Sequence, residues 1–313
     1  MDNKHLIDNT PLYKLWEHTR TESKSGAGYA TPEEWNEQVY YLSKCGRGTE
    51  EALRYLYAEQ PTYEIFIEWL ALTSEPGKKD IQLPVGDIIS QEDRVSWEKN
   101  GYLVIKGAVP GMQCAATQST IWEYLDADPS VPSSWYRAHP GKNGMMVNFF
   151  HHPALDTNRN SPKIRKAYEE LYNGADIYLV LDKISFNPPE TKTYKFTGSP
   201  LHWDVSLQPP IPFVLQGLLY LTDVTATDGA FHCVPGFHNK IDAWIAGLPV
   251  NSDPRETALK ELKPEAVAGK AGDLIIWHQA LPHCASPNTG RLPRMVQYIT
   301  YKPVKTVENA VWK

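Results

Sequence analysis

The sequence predicts a β-rich α+β protein: a double-stranded β-helix (a cupin-like jelly roll) with helices flanking it and a helical extension in front. Two patterns carry this expectation. Residues 1–85 show helical spacing and helix caps without a strand pattern, whereas from Ile177 onward short apolar stretches recur between Pro and Gly turns. A third observation is bulk: 313 residues, 42% hydrophobic and 11% aromatic, suffice for a large core. The expected division is an extension over 1–85, packing on or lidding the core, and a jelly-roll domain over 86–313.

In the extension, Thr31-Pro-Glu-Glu34 offers a Thr N-cap, a Pro at the first helical position and a Glu at the third, the signature of a capping box. Trp35, Val39 and Leu42 then fall on one face. A second amphipathic run from Glu50 to Leu72 carries Leu53, Leu56, Tyr57, Ile65 and Trp69, is interrupted at Pro61, and gives way to a linker at Ser74-Glu-Pro-Gly77-Lys-Lys-Asp80. Ser90-Gln-Glu-Asp93 starts a short helix that Asn100-Gly101 ends, and Tyr102-Leu-Val-Ile105 is the first strand. A helix from Pro162 to Tyr172 closes at Asn173-Gly174. The strands expected beyond it cover 177–187, 201–207, 213–222, 231–234, 273–277 and 295–301. Many short strands at close spacing fit a jelly roll best.

Charge and composition narrow the partners. A formal charge of −6 and a pI near 5.9 disfavour a nucleic-acid or anionic-membrane surface, which would need clustered Lys and Arg. No run reaches the ~18–20 apolar residues of a transmembrane helix, and Met1-Asp-Asn-Lys-His5 lacks the order of a signal peptide, so a cytoplasmic chain with a small-molecule partner is expected. Cys45, Cys114, Cys233 and Cys284 are sparse and form no CxxC pair, which points to reduced thiols rather than a disulfide framework or zinc site. The extension offers a surface for a homodimer.

The chemistry-bearing stretch is His202-Trp203-Asp204. Side chains two apart on a strand point to one face, so His202 and Asp204 can grip one ion while Trp203 faces away. An HxD pair alone is weak evidence, because a His beside an Asp is often a hydrogen-bonded pair. His283 would complete a 2-His-1-carboxylate face, which leaves about three of roughly six positions of an Fe(II) open. Further ordered features accompany it: Asn187-Pro-Pro189, Asp228-Gly229, Val234-Pro-Gly-Phe-His238, Gly272-Asp273, and Arg294 eleven residues after His283.

In that order these motifs resemble the phytanoyl-CoA dioxygenase family of Fe(II)- and 2-oxoglutarate-dependent oxygenases, over about Ser90 to Lys302. The resemblance implies that His202, Asp204 and His283 are the iron ligands and that Arg294 binds the distal carboxylate of 2-oxoglutarate, with O2 as oxidant and succinate and CO2 as products. A guanidinium suits that role because its planar fork stays charged when buried. Where the family often has Ser two residues after the distal His, this chain has Ala285, so Ser286 or a residue from another strand must assist. Retention of Asp204, where halogenating relatives have a small residue, implies hydroxylation of an unactivated C–H bond of a small molecule or natural-product intermediate, with desaturation, ring closure and demethylation as alternatives.

Period-two reasoning adds candidates around the cosubstrate: Lys183 and Ser185 with Asn187 on one strand face, and Gln216 and Tyr220 with Leu218 on another. Candidate substrate contacts are Trp203 and, from the Ser133–Gly144 loop proposed as a lid, Arg137, His139 and Lys142. His278, His238 and His151-His152 are weaker metal candidates; His278 would lie sixteen residues before Arg294 rather than eleven. Two competing readings are a metal-binding barrel of other chemistry, such as a zinc hydrolase or cupin isomerase with no need of Arg294, and an interaction module with a broken triad.

Overall fold

The capping expected at Thr31 forms. Its Oγ1 accepts from the Glu34 N–H at 3.2 Å and Glu34 Oε2 accepts from the Thr31 N–H at 3.0 Å, opening a helix over Pro32–Lys44. In the computed structural model, which describes residues 10–21, 30–73 and 81–306, this helix joins others over Thr10–Thr21, Thr49–Glu59 and Tyr63–Ala71. The expected linker at 74–80 and the chain start at 1–5 lie outside the described residues. Leu12, Leu15, Leu42, Leu56, Phe66 and Leu70 close a small core of their own. The run from Glu50 to Leu72 is two helices, and Tyr57 and Ile65 stand exposed on faces turned from that core.

The strands are β1 (Tyr102–Ile105), β2 (Lys142–Asn143), β3 (Met146–Val147), β4 (Ile177–Val180), β5 (Ile184–Asn187), β6 (Leu215–Tyr220), β7 (Phe231–Cys233), β8 (Glu265–Val267), β9 (Leu274–His278), β10 (His283–Ala285), β11 (Arg294–Tyr298) and β12 (Thr300–Pro303). A seven-stranded antiparallel sheet runs β1-β9-β6-β11-β5-β3-β2; smaller sheets run β10-β7-β8 and β12-β4. Side chains alternate across the large sheet. Leu219, Leu274, Ile276 and Met295 face one way, onto a core shared with Ile121, Leu155, Ile164 and Tyr168 of the helices Gly111–Tyr124, Pro153–Arg159 and Pro162–Leu171. Leu218, Tyr220, Ile275, Trp277 and Val296 face the other way, packing with Phe231, Cys233 and Val267 of the three-stranded sheet. Two sheets face to face with helices outside are the jelly roll the strand pattern predicts.

Three expected strands differ. The span 177–187 is broken: Asp182 Oδ1 accepts from the Lys183 N–H at 2.7 Å, removing that donor from the ladder, so β4 and β5 enter different sheets. The span 295–301 breaks opposite it, where β11 ends and β12 turns to pair with β4. Residues 201–207 form no strand; only His202 is bridged, to His283, before Pro209, Pro210 and Pro212 remove ladder donors.

The extension meets the jelly roll at that first break. A Cβ on Gly48 would lie 2.7 Å from the Leu181 carbonyl oxygen, so only glycine allows this approach. Ser43 donates to the Leu179 carbonyl at 2.5 Å, Lys183 pairs with Glu50, and His151 lies 2.9 Å from Glu51.

Candidate active site

The short bridge between residues 202 and 283 builds the site. Each main-chain N–H donates to the other residue's carbonyl, at 3.0 and 2.9 Å, which sets the two imidazoles side by side with centroids 4.6 Å apart. Each Nδ1–H donates to the carbonyl two residues earlier, Pro200 for His202 at 2.8 Å and Leu281 for His283 at 3.1 Å. A carbonyl only accepts, so Nδ1 keeps its proton and Nε2 is the nitrogen that faces Asp204, a hydrogen-bond donor to the carboxylate while it carries a proton and a lone pair for a metal once that proton is displaced. The Nε2 atoms lie 3.5 and 3.3 Å from the two carboxylate oxygens, and the three ligand atoms fall within 4.8 Å of one another.

Asp204 is positioned in turn. Trp277 Nε1 donates to Gln216 Oε1 at 3.0 Å, which turns the amide nitrogen toward Asp204 Oδ2 at 2.8 Å. From the helix Pro254–Glu261, Arg255 donates to the carbonyls of Trp203 and Val205, holding the main chain on both sides of Asp204. Burial opposes charge on Asp204, yet hydrogen bonds from His202, His283 and Gln216 outweigh it and hold the carboxyl well below the usual range. Burial likewise lowers the His202 pKa, and the Asp204 carboxylate more than reverses this. An anion with two neutral imidazole nitrogens is a donor set suited to a divalent cation.

The triad opens into a cavity of about 260 Å³ between the sheets. On one wall is Arg294, the first residue of β11, 2% exposed, with one guanidinium N–H on Ser185 Oγ at 3.1 Å and a buried Nε that has no partner. No carboxylate comes within ion-pair distance of it among the described residues. A buried guanidinium in that state calls for an anion.

Gln216 lines the cavity, and Ser185, fully buried on the inner face, reaches the site only through Arg294. Other candidates stand elsewhere. The break before β5 turns Lys183 outward to Glu50. Tyr220 lies on the inner face, but its hydroxyl crosses to the other sheet, donating to the Val267 carbonyl and accepting from the Phe231 N–H. Ser286 turns its hydroxyl toward the Ala230 carbonyl, and Ala285 lines the cavity instead. Trp203 is 2% exposed in the core between the sheets, its indole N–H on the Ala280 carbonyl.

The Ser133–Gly144 loop contains a 3-10 turn over Pro132–Tyr136 and leads into the β2–β3 hairpin, whose Met145 and Met146 border the cavity. Arg137 bonds to the Asp126 carbonyl, His139 accepts from the Gly141 N–H, and Lys142 reaches the Trp135 carbonyl; none of the three lines the cavity. His278 stacks near His238, its pKa lowered to about 4 by burial. His151 meets Glu51, and His152 caps a helix. Asp182, Trp277 and Tyr298 also line the cavity. For Trp277 and Tyr298, period two from Ile275 and from Arg294 was the available signal.

Fold and donor set define a jelly-roll metalloprotein of the 2-His-1-carboxylate class. The pattern of the phytanoyl-CoA dioxygenase (PhyH) family matches residues 97–296, and the chain belongs to that family. It is thereby an iron- and 2-oxoglutarate-dependent oxygenase by class. A Dictyostelium discoideum protein named "Putative phytanoyl-CoA dioxygenase" is 22% identical, over 68% of this chain and 75% of its own. Among solved structures, the non-heme alpha ketoglutarate dependent carbocyclase SnoK from nogalamycin biosynthesis superposes with a TM-score of 0.52 at 20% identity, over 71% of this chain and 87% of its own. The epimerase SnoN, in complex with Fe3+, alpha ketoglutarate and nogalamycin RO, gives 0.50 at 17%, over 69% and 84%. These likenesses establish a shared fold. No helix among the described residues is long and apolar enough to cross a membrane.

Proposed function

We propose that the chain oxidises a C–H bond of a small molecule, with His202, Asp204 and His283 holding Fe(II) and Arg294, assisted by Ser185, holding the distal carboxylate of 2-oxoglutarate. The observation that carries this is Arg294: a buried guanidinium without a counter-anion, on the wall of the same cavity as the three ligand atoms. A zinc hydrolase or cupin isomerase gives such a cation no task. When bound, iron and 2-oxoglutarate supply oxidative decarboxylation, releasing succinate and CO2 and leaving one oxidising step for the substrate. The protein's own residues orient the participants. The backbone carbonyls of Pro200 and Leu281 fix the imidazoles, and Gln216 fixes the carboxylate. Phe231, Leu218 and Trp277 give the cavity an apolar wall beside the triad.

Hydroxylation is the outcome this reading favours, because Asp204 occupies a metal position that would otherwise accept an exogenous anion. The carbocyclase that shares the fold supports keeping ring closure as an alternative outcome of the same C–H step. The helical extension, with its own small core, serves as a separate layer packed on the jelly roll.

Anaerobic titration with Fe(II) and 2-oxoglutarate tests this directly. A metal-to-ligand charge-transfer band in the visible is expected with wild type and, at modest cosubstrate, absent in Arg294→Ala. No band at saturating iron with wild type would sink the proposal.

A further inference from the structure

The cavity contains one charged side chain that neither metal nor cosubstrate needs. His202, Asp204 and His283 supply the ion and Arg294 the dicarboxylate; Asp182 remains, at the break between β4 and β5. Its Oδ1 accepts from the Lys183 N–H, and among the described residues no Lys, Arg or His side chain reaches ion-pair distance of its carboxylate. The nearby cations are engaged elsewhere: the Lys183 ammonium is on Glu50, and the Arg159 guanidinium is on Asp156 and on the main-chain carbonyl of residue 182. Burial raises the Asp182 pKa to about 6, against the Lys183 N–H and the more distant charges of Lys183 and Arg159, which reduce the shift without cancelling it, so at neutral pH the group is mostly ionised and lacks an ion-pair partner.

We propose that Asp182 recognises the substrate and that the substrate is a small molecule bearing an ammonium group. The ammonium sits on Asp182 while a C–H bond on the same molecule faces the triad. A hydroxyl would return one hydrogen bond to the carboxylate but leave its charge unbalanced, and an anion would be repelled. Met145 and Met146 suit the alkyl part between the two ends, because thioether side chains adjust to irregular shapes. The proposal rests on the assignment of Arg294 to 2-oxoglutarate.

The test compares pentylammonium, 1-pentanol and pentanoate, three probes of equal chain length, by ligand-observed NMR on protein loaded anaerobically with Fe(II) and 2-oxoglutarate. Wild type is expected to bind pentylammonium at least tenfold more tightly than pentanol, with pentanoate weakest. Asp182→Asn should reduce the amine preference to about twofold or less, and Asp182→Glu should keep most of it. Equal binding of all three probes by wild type, a preference for the alcohol or the acid, or an amine preference that survives in Asp182→Asn would each overturn the proposal. If Asp182→Asn fails to fold, as judged by circular dichroism, the wild-type ranking still decides. The charge-transfer band is read separately. Its absence defeats the iron and 2-oxoglutarate assignment, whereas an absent amine preference with the band present defeats only the role of Asp182.

Discussion

Against the helices, the outer face of the seven-stranded sheet buries Asn158, Arg159 and Gln297; against the smaller sheet, the inner face buries Ser185, Asn187 and Arg294. Outside, the polar groups serve one another. Asn158 Nδ2 donates to Thr117 Oγ1 and to Gln297 Oε1, Gln297 Nε2 donates to the Leu155 carbonyl, and Arg159 carries Asp156 at 2.8 Å. Inside, Arg294 has a hydroxyl and no anion, and Asp182 in the same cavity has no ion-pair partner among the described residues. Two arginines of nearly equal burial, 1% and 2% exposed, each leave Nε without a partner; they differ in that Arg159 has a carboxylate and Arg294 has none. A polar group that lacks its complement inside a cavity points to a ligand, and one that has it points to architecture.

Substitution should separate the faces by what is lost. His202→Ala, Asp204→Ala and His283→Ala should each reduce turnover to background, measured as succinate release, while the urea midpoint changes little or rises. A large drop in midpoint would show that the triad stabilises the fold instead. Arg294→Ala should weaken 2-oxoglutarate binding by two orders of magnitude or more, since a buried charge pair is worth about 3–5 kcal/mol when one partner is removed. In calorimetry, retained affinity would assign the cosubstrate carboxylate elsewhere.

The outer face should respond in the opposite sense. Arg159→Leu is expected to destabilise the protein by about 1–2 kcal/mol in urea, because it leaves the residue 182 carbonyl without its donor, whereas Asp156, 37% exposed, turns to water. Arg294→Leu should leave the ligand-free protein as stable or more so, and equal losses for the two would erase the distinction between the faces. Gln216→Leu removes one hydrogen bond from Asp204 and should lower metal affinity about tenfold, within the range for residues that orient ligands. An unchanged dissociation constant would show that Arg255 and the bridge suffice.

The smallest effect concerns pH. The folded pKa of Asp182, about 6, lies above the value of about 3.9 expected for an unfolded Asp, so the folded state holds the proton more tightly. This group's contribution is fully present below about pH 4 and is lost as pH rises through 6. Asp182→Asn should therefore raise Tm by a few degrees at pH 8 and leave it nearly unchanged at pH 4. A difference that grows toward acid would reverse the sign and place the carboxylate in a stabilising pair.

Much of this was legible in the sequence, and the illegible part has a common origin. Local chemistry read well: the caps at Thr31 and Ser90, the left-handed Gly101 and strand β1 follow from residues within a few positions of one another. His202, Asp204, His283 and Arg294 were legible because motif order carried them, even though the strand assumed for residues 201–207 is a single bridge. Lys183 leaves the face that period two assigns it, and Asp182 lines the cavity instead, because period two holds only while a strand continues and this one breaks at 181–183. Tyr220 shows the complementary limit: its face was legible, but the length of its side chain carries the hydroxyl across the cavity layer to Val267. The fixing of Asp204 through Gln216, Trp277 and Arg255 joins residues up to 73 positions apart and has no local signal.

The tautomers of the two site histidines are set by carbonyls two positions upstream, and His232 makes the same contact with the Ala230 carbonyl at 3.0 Å. The proton's location is therefore written in the main chain. No side-chain replacement at Pro200 or Leu281 deletes the acceptor, so point mutation can drift freely at both positions without disturbing which nitrogen faces Asp204. Only an insertion or deletion between acceptor and ring would do so, so the spacing of these two tripeptides, rather than the side chains at their first positions, sets where the proton sits.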